Sequence, residues 1–166
     1  MSELSFSPAN QEDVPLLTGI LTDATMYKLD LGDQIWGTEG WTEEEVQGAM
    51  TESTIYLVRE GSEVIGTVSL QWDDERNWGE QPPVAGYLHR LAIREGFHGQ
   101  GLGERIVDWA AKRVAEKDRQ FLRLDCEETN AELCGYYKKL GFVQVGTRPV
   151  PEYSNYVAAL FEKPVV

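Results

Sequence analysis

Residues 87–110, "YLHRLAIREGFHGQGLGERIVDWA", pass from an apolar strand pattern through a glycine cluster into amphipathic helical spacing. Glycines at that junction let an anion approach a helix start, where unpaired N–H groups and the positive end of the macrodipole already favour negative charge. A P-loop needs G-x-x-x-x-G-K-S/T; Gly96 and Gly101 keep the first spacing, but Leu102 and Gly103 stand where lysine and Ser/Thr are required. A Rossmann fingerprint needs G-x-G-x-x-G, whereas Gly99, Gly101 and Gly103 give G-x-G-x-G and Glu104 takes the third glycine's place. Asp125 still follows the next strand pattern at a spacing suited to a ribose-binding acid, which keeps a dinucleotide-binding protein as an alternative. A turn that merely joins strand to helix is the ordinary alternative.

The rest of the chain alternates strand and helix signals in the order β-α-α-β-β-β-α-β-α-β-β. "LSFSPA" reads as a strand, and Asn10 with Pro15 opens a helix ending near Leu29. Thr42 and Glu45 form a capping box for a helix over residues 43–50. "TIYLVRE", the turn Gly61-Ser62 and "EVIGTVSLQW" predict a hairpin, followed by the polar loop "DDERNWGEQPP". Residues 84–94 predict a strand, and Leu102, Ile106, Trp109, Ala110 and Val114 space a helix over 101–117. "FLRLDC" is a strand, "NAELCGYYKKLGF" a helix closed by Gly141, and "FVQVGTRPV" and "YVAALFEK" finish as strands. Early hairpins and later crossovers predict a mixed sheet covered by helices.

At 166 residues with 42% hydrophobic content, the chain fits one domain over 1–166 and hence one site. A formal charge of −13 argues against nucleic acid or an anionic membrane as partner and suits a cationic molecule or peptide. No segment approaches the roughly 20 apolar residues of a membrane span, and "MSELSFSPANQEDVP" lacks the pattern of a signal peptide, so the expected location is cytoplasmic. Cys126 and Cys134 are the only cysteines and His89 and His98 the only histidines, so reduced thiols and no structural metal are expected.

With these elements in order, residues 54–145 resemble the GNAT superfamily of acetyltransferases. The resemblance implies a mostly antiparallel central sheet of six to seven strands flanked by about four helices. The superfamily's R/Q-x-x-G-x-G/A loop, which binds the pyrophosphate of acetyl-CoA through backbone amides, is matched at His98, Gly101 and Gly103, with His98 departing from the usual Arg or Gln. Backbone N–H groups from Gly99 to Gly103 would carry the binding, with Arg94 and Arg105 as nearby cations. A second signature, N-x-x-A/L-x-x-x-Y-x-K-x-G-F, is matched by Asn130, Leu133, Tyr137, Lys139, Gly141 and Phe142.

By that resemblance, backbone N–H groups of Leu91, Ala92 and Ile93 stabilise the oxyanion as an amine attacks the thioester, and Asn130 belongs to the cofactor site. Tyr137 is the implied general acid, since a tyrosine stays protonated at neutral pH and the departing thiolate is a weaker base than a phenolate. The strand "YLHRLA" resembles the "HLHALA" strand of the arylalkylamine branch, whose histidines relay the amine proton; His89 matches one and Tyr87 replaces the other. His89 is therefore the candidate base, with a carboxylate acting through water as competitor.

Asn130, Cys134 and Tyr137 share one helix face that would flank the thioester, while Leu133, Tyr136 and Leu140 form the stripe expected to pack. The cysteines are expected to be small buried apolar residues, not nucleophiles. "LGDQIWGTEGW" and "QWDDERNWGEQPP" combine tryptophans with acids, a composition suited to an ammonium but also ordinary for solvated loops. The implied activity is acetyl transfer from acetyl-CoA to a primary amine of a small molecule or peptide, with a homodimer as candidate assembly. The competing reading is a non-catalytic acyl-CoA-binding module.

Overall fold

The structure, a computed structural model, describes residues 2–152 and 155–166. The chain forms two compact units, one of residues 1–70 and 89–106 and the other of residues 71–88 and 107–166. Two elements run from one unit into the other: β4 (Ala85–Ile93) and α4 (Leu102–Glu116).

In the first unit, β1 (Leu4–Pro8) leads through a 3-10 turn (Gln11–Asp13) into α1 (Val14–Asp30). Asn10 and Asp13 cap that turn reciprocally, so the sequence signal at Asn10 marks the 3-10 turn, and the α-helix begins four residues later, at Val14. α2 (Glu43–Glu52) begins at Thr42, whose hydroxyl accepts the Glu45 N–H as its sequence predicts. β2 (Thr54–Glu60) and β3 (Glu63–Gln71) form the predicted hairpin, with Glu60 opposite Glu63. Leu17, Ile20 and Leu21 of α1 pack with Val46 and Ala49 of α2, Ile55 and Leu57 of β2, and Ala92. Each such large aliphatic side chain contributes about 1.5–3 kcal/mol by leaving water.

The second unit holds α3 (Glu75–Trp78), β5 (Phe121–Glu127), α5 (Ala131–Lys139), β6 (Val143–Pro149) and β7 (Val157–Pro164). The short α3 lies within "DDERNWGEQPP", a stretch whose composition predicts loop; Asp74 caps it by accepting the Asn77 N–H. The described residues thus contain five α-helices where about four were expected. The seven strands lie in the order β1-β2-β3-β4-β5-β7-β6. β4 runs parallel to β5, while the β1–β2, β2–β3, β5–β7 and β6–β7 ladders are antiparallel. Along α4, Leu102, Ile106, Val107, Ala110 and Val114 are buried, so Val107 takes the place assigned to the half-buried Trp109. Among the described residues no helix is long and apolar enough to cross a membrane.

Candidate active site

β4 carries the first part of the site. Its parallel ladder with β5 pairs Ala85–Tyr87 with Phe121–Arg123, and three residues further on Arg90 adopts a left-handed φ of 51°. A bulky residue in that region costs on the order of 1–3 kcal/mol unless its surroundings hold it there. Two contacts do so: Arg90 donates to Ser53 Oγ at 3.4 Å, and its guanidinium lies 6.0 Å from the Trp41 ring centroid. The bend falls between the half-buried His89 and the segment Leu91–Ile93.

That segment is backed by a close backbone approach. A Cβ built on Gly66 of β3 would stand 2.5 Å from the Ala92 carbonyl oxygen, so only glycine lets β3 come this near. Just beyond, the Arg94 N–H donates to Ile65 O at 2.8 Å and its guanidinium to Val64 O at 2.9 Å. Arg94 is thereby tied to β3. Arg105 lies 3.9 Å from Glu60, so both cations near the loop already have partners within the first unit.

The glycine loop itself turns through Gly96, Gly99 and Gly101, with φ of 93°, 77° and 72°. These values explain why glycine recurs there, since any other residue would be strained. Cβ atoms built at Gly99 and Gly101 meet no heavy atom within 4 Å, so the space above the turn is open. α4 starts immediately after it at Leu102, with Gly103 in its first turn. A bare, open backbone turn at the start of a 15-residue helix is a physical fit for the phosphates of an acyl-CoA. His98 stacks on Tyr27 of α1, with ring centroids 4.2 Å apart and 11° between planes. A shorter side chain at Tyr27 would remove that support. Gly101→Val is expected to raise the KM for acetyl-CoA at least tenfold with a smaller change in kcat, because it adds about 1–2 kcal/mol of left-handed strain and fills the open side. Steady-state kinetics in acetyl-CoA check this.

α5 carries the residues of the second motif. Asn130 is its N-cap, its Oδ1 accepting the Leu133 N–H at 3.1 Å. The Tyr137 ring lies edge-on to Phe142 at 5.9 Å and tilted to Phe161 at 6.0 Å. Cys134 is buried, Tyr137 is half-buried and Tyr136 is 38% exposed, so part of the stripe expected to pack faces solvent. His89, Leu91–Ile93 and His98–Gly103 fall in the first unit, and Asn130 and Tyr137 in the second.

Tyr87, which stands where the similar arylalkylamine-branch strand has its other histidine, is engaged elsewhere. Its hydroxyl accepts from Arg123 Nη1 at 3.1 Å, and it is almost fully buried. Arg123 also donates from Nε to Glu162 at 3.0 Å and from Nη1 to Gln81 at 3.2 Å, and its guanidinium lies 4.5 Å from the Trp78 centroid. The loop between β3 and β4 is thus pinned from beneath by a buried cation. Arg119 adds a second pin, donating to Trp72 O at 2.8 Å and Ala85 O at 2.9 Å.

Both tryptophan loops use the chain's own cations. Lys28 lies 5.2 Å from the Trp36 centroid and pairs with Asp33 at 3.3 Å; Lys117 and Arg119 lie 5.6 and 5.5 Å from that of Trp72. The cations over the Trp36 and Trp72 rings are thus supplied by the chain itself.

Asp125 has a structural partner: it accepts the Tyr156 hydroxyl at 2.7 Å. Burial, and then the charge of Asp125, push the Tyr156 hydroxyl well above the ordinary tyrosine range, so it remains a protonated donor. Tyr156→Phe is expected to cost about 1.5–3 kcal/mol, as for a hydrogen bond to a charged group. Because the folded state holds this proton and the unfolded state releases it near pH 10, wild-type stability is expected to decline more steeply than that of the variant from about pH 10 upward. Denaturant unfolding across pH 8 to 11 reads both effects. Neither Arg123 nor the Tyr156–Asp125 pair was recognised from sequence; the one available hint was an arginine amid the apolar run "FLRLDC".

The fold and the glycine loop define an acyltransferase of the GNAT type, and the family model described as "Acetyltransferase (GNAT) family" matches residues 23–142. The chain belongs to that family. It is 29% identical over 166 residues to the "Uncharacterized N-acetyltransferase YesJ" of Bacillus subtilis (strain 168), covering 95% of this chain and 88% of that protein. Among solved structures it resembles aminoglycoside acetyltransferase AAC(6')-Ib in complex with coenzyme A, at a TM-score of 0.77 and 18% identity over 98% of this chain and 95% of the other. A GNAT-family acetyltransferase of Listeria monocytogenes 4b F2365 gives a TM-score of 0.76 and 22% identity, again over 98% and 95%.

Proposed function

We propose that residues 1–166 act as one acetyltransferase domain that moves the acetyl group of acetyl-CoA to a primary amine of a small molecule or peptide by direct attack. The observation that carries this is the open glycine turn at Gly99 and Gly101 leading into α4, where a Cβ would meet no heavy atom within 4 Å and a helix start favours an anion. Bound coenzyme A in the AAC(6')-Ib structure supports the same co-substrate here.

The roles are those the resemblance to the GNAT superfamily implies. Gly99, Gly101 and Gly103 hold the pyrophosphate, His98 borders it, and Asn130 contributes to the cofactor site. His89 takes the proton of the attacking amine. N–H groups of Leu91, Ala92 and Ile93 hold the negative charge that develops on the carbonyl oxygen. Tyr137 donates its proton as the carbon–sulfur bond breaks, so coenzyme A leaves as a thiol. We assign the protein to the cytoplasm, with an acceptor that is neither nucleic acid nor membrane; a homodimer is the candidate assembly. The net charge of −13 supports a cationic acceptor.

Incubation with acetyl-CoA and a panel of small amines, polyamines, aminoglycosides, amino acids and peptide N-termini, read by thiol release and product mass, tests the function. The expected result is amine-dependent thiol release with an acetylated product. Stabilisation by acetyl-CoA without turnover on any amine would instead favour a binding module.

A further inference from the structure

We infer that Cys126 and Cys134 form a modification site, a thiol pair that a hydroperoxide converts into an internal disulfide. Cys126 stands on β5 opposite Ala159 of β7, and Cys134 on α5. Both are in the thiol form, 5% and 8% exposed, and their Sγ atoms are 3.5 Å apart. A disulfide needs about 2.05 Å between sulfurs, so closure requires an approach of about 1.5 Å. The Cys134 thiol also lies 3.8 Å from Glu127 O and 4.0 Å from Glu128 O, in the turn that joins β5 to α5. The pair is therefore held in contact across a separation of eight positions in sequence.

The chemistry balances with hydrogen peroxide as oxidant. One thiolate attacks the peroxide O–O bond, forming a sulfenic acid, and the departing hydroxide takes up the proton the thiol gave up and leaves as water. The second thiolate attacks the sulfenic sulfur; the S–S bond forms, the S–O bond breaks, and a second water leaves. Two thiols are oxidised by two electrons and one peroxide is reduced. A neighbour at 3.5 Å captures the sulfenic acid before it proceeds to sulfinic acid, which isolated cysteines cannot prevent. The resulting bond ties α5 to β5, three residues before Tyr137. Any effect on turnover rests on the function proposed for Tyr137, so the test reads the sulfur chemistry itself.

The native protein is treated with hydrogen peroxide, quenched, alkylated after denaturation and weighed intact. The expected product is a monomer lighter by two hydrogens, about 2 Da, that resists alkylation at both cysteines until dithiothreitol restores it. Glu127, Glu128 and Glu132 lie between the cysteines, so a glutamate-specific protease should release two peptides joined by the disulfide. Cys126→Ala and Cys134→Ala should each gain oxygen instead, in steps of about 16 Da. If a variant fails to fold, the peptide map of the wild type decides alone. Oxygen gain without hydrogen loss in the wild type, a disulfide between chains, or cysteines that remain alkylatable after treatment would overturn the inference.

Discussion

Tyr137→Phe is expected to lower kcat by about 10²–10⁴-fold, the range for loss of a positioned general acid, with little change in the KM for acetyl-CoA. The substitution keeps the ring that packs against Phe142 and Phe161 and removes only the hydroxyl, so the fold should survive with a stability change of about 1 kcal/mol. Separating kcat from stability is what makes this variant informative. A purely structural tyrosine would give the opposite pattern, a lower melting temperature with near-normal turnover per folded molecule. If protonation of the leaving thiolate limits the rate, acyl donors with more acidic thiols should lose less activity.

Arg123→Met should have the largest effect on stability, about 3 kcal/mol, the lower end for breaking a buried ion pair from one side. The lower end applies because Glu162 is 20% exposed at its side chain, so water can reach it once the guanidinium is gone. Gln81 and Tyr87 lose a donor in the same substitution, and Trp78 loses the cation over its ring. For a chain of this size the loss corresponds to a fall of about 6–12 °C in Tm. Glu162→Gln should cost less, since its amide oxygen can still accept from Nε. The loop around α3 should also loosen, and calorimetry with limited proteolysis near residues 73–83 would record both.

The extent to which this molecule was legible in its sequence depended on whether the signal was local. Capping at Thr42, the β2–β3 turn, the glycine-closed α5 and the loop ahead of α4 are decided by neighbours within a few residues, and each lies where the sequence puts it. α3 was overlooked because four residues leave no periodicity to read. The Arg123 cluster joins residues from α3, β4, β5 and β7, so no stretch of sequence announces it.

The candidate site divides in the same way. The backbone of the glycine loop was legible because positive φ leaves a compositional mark, whereas the left-handed Arg90 was not, since arginine carries no such mark. Tyr87 illustrates the limit of motif transfer: it occupies a relay position in the strand pattern, yet its hydroxyl is spent on Arg123.

The central claim is acetyl transfer to an amine with the glycine turn holding the co-substrate. Its most direct test is thiol release from acetyl-CoA with and without an amine panel, with mass analysis of the acceptor, on wild type and Gly101→Val side by side. The account predicts amine-dependent release, an acceptor heavier by one acetyl group, and saturation by acetyl-CoA shifted at least tenfold upward in the variant. Equal saturation in the two proteins, or stabilisation by NAD but not by acetyl-CoA in a parallel thermal scan, would contradict it.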